Sequence, residues 1–156
     1  MKKAIIAFIS LIIFCIEPLM ASAEFSFKKY QVENGLSHNT TWCAIQDSYG
    51  FLWIGTSNGL NCYYGSGNKI YRNVLNDKYS LGNNFVSSLM EEGEDLWIGT
   101  SSGLYIYDRS DDHFLYFDKT TKYGVFISCE VKKIVKTKNI IRFKSRWYGD
   151  GAHTTL

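Results

Sequence analysis

Apolar and polar positions alternate with a period of two in short runs from residue 36 onward, the signature of half-buried or sandwiched strands rather than helices. Thr41–Gln46 and Leu52–Thr56 are two such runs, separated by a turn containing Asp47 and Gly50. Asn58-Gly59 then gives a hairpin signal, a run follows over 60–64, and Gly65-Ser66-Gly67-Asn68 separates it from a fourth run over 69–74. The pattern predicts four short antiparallel strands.

The pattern repeats. Leu52-Trp53-Ile54-Gly55-Thr56 matches Leu96-Trp97-Ile98-Gly99-Thr100 at a shift of 44, and "LSHNTTWCAIQD" at 36–47 aligns with "LGNNFVSSLMEE" at 81–92 at a shift of 45. The extra residue falls at a turn, where insertions are tolerated best. Carried forward, the shift places Val131-Lys132-Lys133-Ile134-Val135 and Ile141-Arg142-Phe143-Lys144-Ser145 in a worn third copy that keeps the apolar alternation but loses the Trp and Gly, with Gly149-Asp150-Gly151 after it. Four strands per period of about 44 residues is the size of one β-propeller blade. The fold expected is all-β, with two intact propeller blades over 24–118, repeating with periods of about 36–80 and 81–124, and a degenerate or truncated third repeat over 119–156.

In the repeated phrase, Leu52, Ile54 and Thr56 point to one sheet face, and Trp53 and Gly55 to the other. Blades are sandwiched between neighbours, so a Trp can cover the next blade while the Gly beside it leaves room for a bulky group. Trp53 and Trp97 occur at the same place in each intact copy, which argues for packing rather than for sugar-stacking platforms. Gly59 and Gly103 stand at hairpin tips, where a positive φ suits glycine. Trp53, Gly55, Thr56, Gly59 and Leu60, with Trp97, Gly99, Thr100, Gly103 and Leu104, are the expected structural residues of the repeat.

Composition agrees. Of 156 residues, 46% are hydrophobic and 16% aromatic, with 13 Gly and a single Pro, a mix that favours strands and tight turns. The net charge of +2 is too small to imply an acidic partner. It is unevenly spread: residues 125–156 hold seven basic and two acidic groups against ten and thirteen before them. Residues 1–23 read as an export signal, with Lys2 and Lys3, an apolar run over 4–16, Pro18 and the small-residue site Ala21-Ser22-Ala23. The run is shorter than the roughly 20 residues that span a bilayer, and Phe14 before Cys15 is too large for a lipoprotein site. The expected location is periplasmic or otherwise exported, with no membrane-spanning helix after the signal. Cys43, Cys62 and Cys129 lack the spacing of a disulfide framework or zinc site and read as buried thiols.

Reactive groups are sparse. His38, His113 and His153 lack metal-ligand spacing. Asp108, Asp111 and Asp112 beside His113 lack the glycine and distal Glu of a calcium loop and read as a solvated hairpin turn. Glu91, Glu92, Glu94 and Asp95 read as a second exposed acidic turn. Lys132, Lys133, Lys136, Lys138, Arg142, Lys144 and Arg146, with Phe143 and Trp147, read as the solvated side of strands rather than a nucleic-acid surface. No catalytic residue, metal or cofactor is expected. The recognition groups expected lie in the loops entering each first strand, His38 and Asn39 in the first copy and Asn83 and Asn84 in the second, where polar side chains can meet sugar hydroxyls; turn-making is the competing role.

"NGLSHNTTWCAIQDSYGFLWIGTSNGLNCYYG" followed by "SLGNNFVSSLMEEGEDLWIGTSSGLYIYD" resembles the two-component regulator propeller repeats of the sensor halves of hybrid two-component systems of gut Bacteroidetes, over about residues 25–118. The resemblance implies a parent protein with many such repeats, an immunoglobulin-like domain, a transmembrane helix, a histidine kinase, a receiver and a DNA-binding module, sensing glycan fragments. It does not carry kinase activity to this chain, which departs from the family in having two intact repeats where a closed ring takes roughly four to eight blades. The function expected is a glycan-sensing propeller fragment. The partners expected are a saccharide, and further blades or another chain at open sheet edges. Two rivals stand beside it: a propeller lyase or carbohydrate-processing enzyme, and an oligomerising structural repeat protein.

Overall fold

The computed structural model describes residues 26–117, 130–138, 140–145 and 152–155. The export signal over 1–23, Cys129, Arg146, Trp147 and Gly149-Asp150-Gly151 lie outside the described residues. Among the described residues, a 3₁₀ turn, Val32–Asn34, leads into eleven strands forming three antiparallel sheets. The first holds β1 (Thr41–Gln46), β2 (Leu52–Thr56), β3 (Gly59–Tyr64) and β4 (Gly67–Tyr71) in that order. The second holds β5 (Val86–Glu92), β6 (Asp95–Thr100), β7 (Gly103–Asp108) and β8 (His113–Tyr116) in the same order. The third holds β9 (Val131–Thr137), β10 (Ile140–Ser145) and β11 (Ala152–Thr155), with β10 in the middle. The edge strands β1, β5 and β9 lie next to one another, so the sheets stack with their first strands together, as blades do about an axis.

The repeat is written into the register as well as the sequence. In each sheet the pairing of the first two strands skips one residue, Trp42, Ser87 or Lys132, near the start of the first strand. Such a bulge resets which side chains share a face. It brings Cys43 opposite Gly55 and Ser88 opposite Gly99, so each glycine lies on the seam to the next sheet. A Cβ on Gly55 would lie 2.7 Å from Val86 Cγ1, and one on Gly99 would lie 2.8 Å from Val131 Cγ1. Both valines are fully buried and open the following sheet, so glycine is what lets consecutive sheets approach.

Trp53 and Trp97 fill the two seams. Trp53 packs in one cluster with Leu60 and Cys62 of its own sheet and with Leu96, Ile98, Tyr107 and Phe114 of the next. Trp97 packs with Leu104, Ile106 and Phe117 and with Val131, Ile134, Ile141 and Phe143 of the third sheet. Both indoles are essentially inaccessible, and each meets an aromatic just beyond or at the end of its own sheet: Trp53 stacks on Tyr71 at 5.8 Å, and Trp97 lies 5.1 Å from Phe117. On the third sheet Arg142 and Lys144 stand where the second has Trp97 and Gly99, and both are exposed.

Gly59 and Gly103 have φ of 127° and 146°, which side-chain-bearing residues rarely adopt. Thr56 and Thr100 brace these hairpins in the same way, each Oγ1 donating to the glycine carbonyl at 2.9 Å. The first sheet's outer face is covered by the preceding segment. Ser37 N donates to Asn61 Oδ1 at 2.8 Å, Asn61 Nδ2 donates to Ser37 Oγ at 2.7 Å, and Ser37 Oγ lies 2.8 Å from Thr56 Oγ1, all buried. Nearby, Tyr30 meets Tyr63 edge-on at 4.6 Å.

The fourth strand differs from the expectation of 69–74. It starts at Gly67, because Gly65 (φ 70°) and Ser66 alone make the turn, and Tyr64 pairs directly with Gly67. It ends at Tyr71, after which the chain leaves the sheet: Asn73 N donates to Asn84 Oδ1 at 2.7 Å.

Candidate functional site

The four residues singled out for recognition sit where β1 and β5 begin, and each uses its side chain on nearby backbone. His38 Nδ1 accepts from Thr40 N at 3.0 Å, and Asn39 Oδ1 from Val32 N at 2.9 Å. Asn83 Oδ1 accepts from Phe85 N at 2.8 Å, and Asn84 Oδ1 from Asn73 N. Asn84 O also accepts from Gly59 N at 2.7 Å, tying one blade's hairpin to the next blade's entry loop. These contacts shape the entry loops.

The opposite rim, formed by the β1–β2, β3–β4 and β7–β8 turns, carries a cleft of about 400 Å³ between the first two sheets. Trp53 and Cys62 lie at its base, Tyr71 and Tyr107 form its walls, Tyr49, Phe51 and Tyr64 stand at its mouth, and Lys69, Arg109 and Asp112 supply charge. The mouth aromatics are 56%, 37% and 46% exposed, unusual for rings that touch one another. Tyr49 and Phe51 stack at 6.5 Å, and Phe51 meets Tyr64 edge-on at 6.4 Å.

Two carboxylates organise the polar side. Asp47, whose side chain is wholly buried, accepts at Oδ2 from Trp53 Nε1 (2.7 Å) and Arg109 Nη1 (2.8 Å), and at Oδ1 from Tyr49 N (3.0 Å) and Phe51 N (2.8 Å). Burial alone would raise its pKa, but the hydrogen bonds from Trp53, Arg109 and Phe51 and the charge of Arg109 outweigh it and hold the carboxyl below its ordinary range. Arg109 also donates to Glu91 Oε1 (3.3 Å) and Glu94 O (3.0 Å), and its guanidinium lies 4.5 Å from the centre of the Tyr49 ring.

Asp112, at φ 56°, accepts from Lys69 Nζ, from Tyr71 Oη at 2.7 Å and from Tyr107 Oη at 2.7 Å, while the two hydroxyls lie 3.0 Å apart. Its carboxyl is also lowered: burial opposes ionisation, and the bonds from Lys69, Tyr71 and Tyr107 prevail. The phenols move the other way. Burial, reinforced by the adjacent carboxylate, pushes Tyr107 up to about 12 and Tyr71 further still, so both stay protonated donors. Burial likewise raises the thiols, Cys43 to about 12 and Cys62 to about 11, and both cysteines are free.

The tips of both acidic turns are solvent-exposed as expected, Asp111 and Asp112 in one and Glu94 in the other, but each turn also makes contacts across a seam. Asp112 crosses the seam to Lys69 and Tyr71 of the first sheet. Glu91 receives both Ser48 N and Ser48 Oγ from the first sheet's turn, and Glu92 pairs with Lys136 of the third at 2.6 Å. Asp108, Asp111 and His113 have ligand atoms within 4.8 Å of one another, gathered by a turn in which Asp108 accepts from Ser110 N and Oγ. His153 contributes its backbone to β11 opposite Arg142.

The cleft was missed in the sequence because repetition directs attention to shared residues, whereas its mouth is made of unshared ones. At the repeat's shift, Phe51 corresponds to Asp95 and Tyr64 to Asp108, and the shorter β5–β6 turn has no aromatic for Tyr49.

Stacked four-stranded antiparallel sheets with a common first-strand edge define a run of β-propeller blades. Residues 35–58 and 80–102 match the family model for the two component regulator propeller. It is 40% identical over 60 residues to histidine kinase P4 of Formosa agariphila, a match covering 38% of this chain and 4% of the kinase. In fold it is similar to the extracellular domain of the hybrid two component system BT3049 of B. thetaiotaomicron (TM-score 0.66, 23% identity, 78% of this chain and 18% of that one). It is also similar to the extracellular domain of the one component system BT4673 of the same organism (TM-score 0.55, 24% identity, 69% and 15%). The chain thus spans a small part of each protein it matches. Among the described residues no helix is long and apolar enough to cross a membrane.

Proposed function

We propose that the chain is an exported segment of a two-component sensor's propeller, and that it recognises a saccharide in the cleft between its first two sheets. The observation that carries this reading is the exposed trio Tyr49, Phe51 and Tyr64, present in one repeat and replaced by acids or absent in the other. Exposed aromatic faces cover the apolar faces of sugar rings, while the flanking Asp112, Lys69 and Arg109 accept from and donate to hydroxyls. The propeller repeats and the extracellular domains that share the fold support a sensor role, and the apolar leader over 1–23 supports export.

A lyase that used a tyrosine of this cleft as its base would need a phenolate. Tyr71 and Tyr107 are instead held protonated and donate to Asp112, so binding rather than turnover is the chemistry the groups favour. Titration of the purified full chain with a panel of oligosaccharides, followed by tryptophan and tyrosine fluorescence, tests the reading. A saturable signal that Phe51→Ala and Tyr64→Ala weaken is expected; release of new reducing ends would contradict it.

A further inference from the structure

We infer that the ligand of this cleft is an uncharged saccharide, and that Asp47 and Asp112 set this selectivity by occupying the two cations that would otherwise recognise an acidic sugar. The inference rests on the cleft being the saccharide site. Lys69 is paired with Asp112. Arg109 is held on three sides, by Asp47 Oδ2 through Nη1, by Glu91 Oε1 through Nη2 and by Glu94 O through Nε. A carboxylate or sulfate arriving in the cleft would have to share Lys69 with Asp112 or displace an acid from Arg109. Displacing Asp47 is the harder exchange, because its side chain has no contact with solvent to compensate for a lost partner.

The surrounding field points the same way. Around the two cations stand three carboxylates, Asp47, Glu91 and Asp112. Beyond the Arg109–Tyr49 stack the rim continues into a second depression of about 390 Å³ bordered by Glu94, Asp95 and Asp108. An anionic chain threading along this rim meets charge of its own sign.

A cationic amino sugar would be drawn by this acidic rim but finds two of the aromatic partners it would stack on already taken. The aromatic faces that attract cations are already covered: Lys69 Nζ lies 4.8 Å from the centre of the Tyr71 ring, and Arg109 lies over Tyr49. What remains open is the apolar surface of Phe51 and Tyr64, flanked by cations that acids of the same chain already occupy. That combination fits a neutral ring with hydroxyl edges.

The test compares three sets of oligosaccharides of matched length on the full chain by calorimetry: neutral hexose and pentose oligomers, oligogalacturonates and sulfated oligomers. The best neutral ligand should bind at least about tenfold tighter than any acidic one. Asp112→Asn, a change at a half-exposed residue, should narrow that ratio by releasing Lys69. Acidic ligands binding as tightly as neutral ones, with affinity still lost in Phe51→Ala, would overturn the charge inference and leave the site standing. Absence of binding by every set, or binding indifferent to Phe51→Ala and Tyr64→Ala, would overturn the site and the inference with it.

Discussion

Arg109 Nη1 lies 2.8 Å from Asp47 Oδ2, joining residues 62 apart in sequence across the seam between the first two sheets. The carboxylate is fully buried and also accepts from Trp53 Nε1, so one acid fixes the blade-packing indole and the neighbouring blade together. Asp47→Ala removes one of the two carboxylate partners of a largely buried guanidinium and leaves the indole N–H and two turn amides without their acceptor. Breaking such a pair from one side costs about 3–5 kcal/mol. Urea unfolding should show a loss of that size, and a loss below about 1 kcal/mol would mean that water replaces the carboxylate without difficulty.

The same acid sets a pH dependence. Asp47 and Asp112 both titrate below their ordinary value of 3.8 in the folded chain. A carboxyl lowered on folding contributes stability that is complete above its unfolded pKa and is lost as pH falls through the folded value. The unfolding midpoint should therefore hold steady from neutrality to about pH 5 and fall steeply below about pH 4. Asp47→Asn should be less stable at neutral pH and fall less steeply in acid. A midpoint that instead rises on acidification would reverse the sign and contradict the assignment.

The architecture was legible where it repeats. Strand periodicity located β1 and β2 at their observed bounds, and the shift of 45 carries β5 onto β9. Trp53, Gly55, Trp97 and Gly99 occupy the seams because a sandwiched sheet needs a large apolar group and a clearance beside it. Contacts across the seam were not legible. Arg109 with Asp47, or Asp112 with Tyr71, joins groups that no local spacing brings together, and an acidic run reads as solvated until the neighbouring sheet is in place. The bulge at Trp42, Ser87 and Lys132 was also hidden, since alternation assigns faces only while pairing stays in register.

Clearance at the seam can be measured directly. Gly55→Ala puts a methyl 2.7 Å from Val86 Cγ1 and against Cys43 Sγ. Overpacking of this kind costs about 1–3 kcal/mol. Val86→Ala in the same chain should recover part of the loss, giving a coupling of about 0.5 kcal/mol or more in a double-mutant cycle. Strict additivity would show that the glycine serves its own strand rather than the seam.

A second pair shows how the two blades diverged. Ser37 and Asn61 fill the outer face of the first sheet, and at the equivalent place the second has Gly82 and Tyr105, the Tyr105 hydroxyl lying where a Cβ on residue 82 would project. Gly82→Ser should destabilise by about 1–3 kcal/mol. Adding Tyr105→Asn, which restores the first blade's pair, should cost less than the sum of the single changes in thermal unfolding. If the double variant is as poor as the sum or worse, the two pairs are not interchangeable.

The central claim is that recognition occurs in the cleft at the β1–β2 and β3–β4 turns rather than among the entry loops at the other rim. Hydrogen exchange of the full chain with and without a saturating neutral oligosaccharide separates the two. Protection should appear in the turns around Tyr49 to Phe51 and Tyr64 to Gly67 and in the turn holding Asp112. Protection confined to the loops of His38, Asn39, Asn83 and Asn84, with the aromatic turns unchanged, would contradict it.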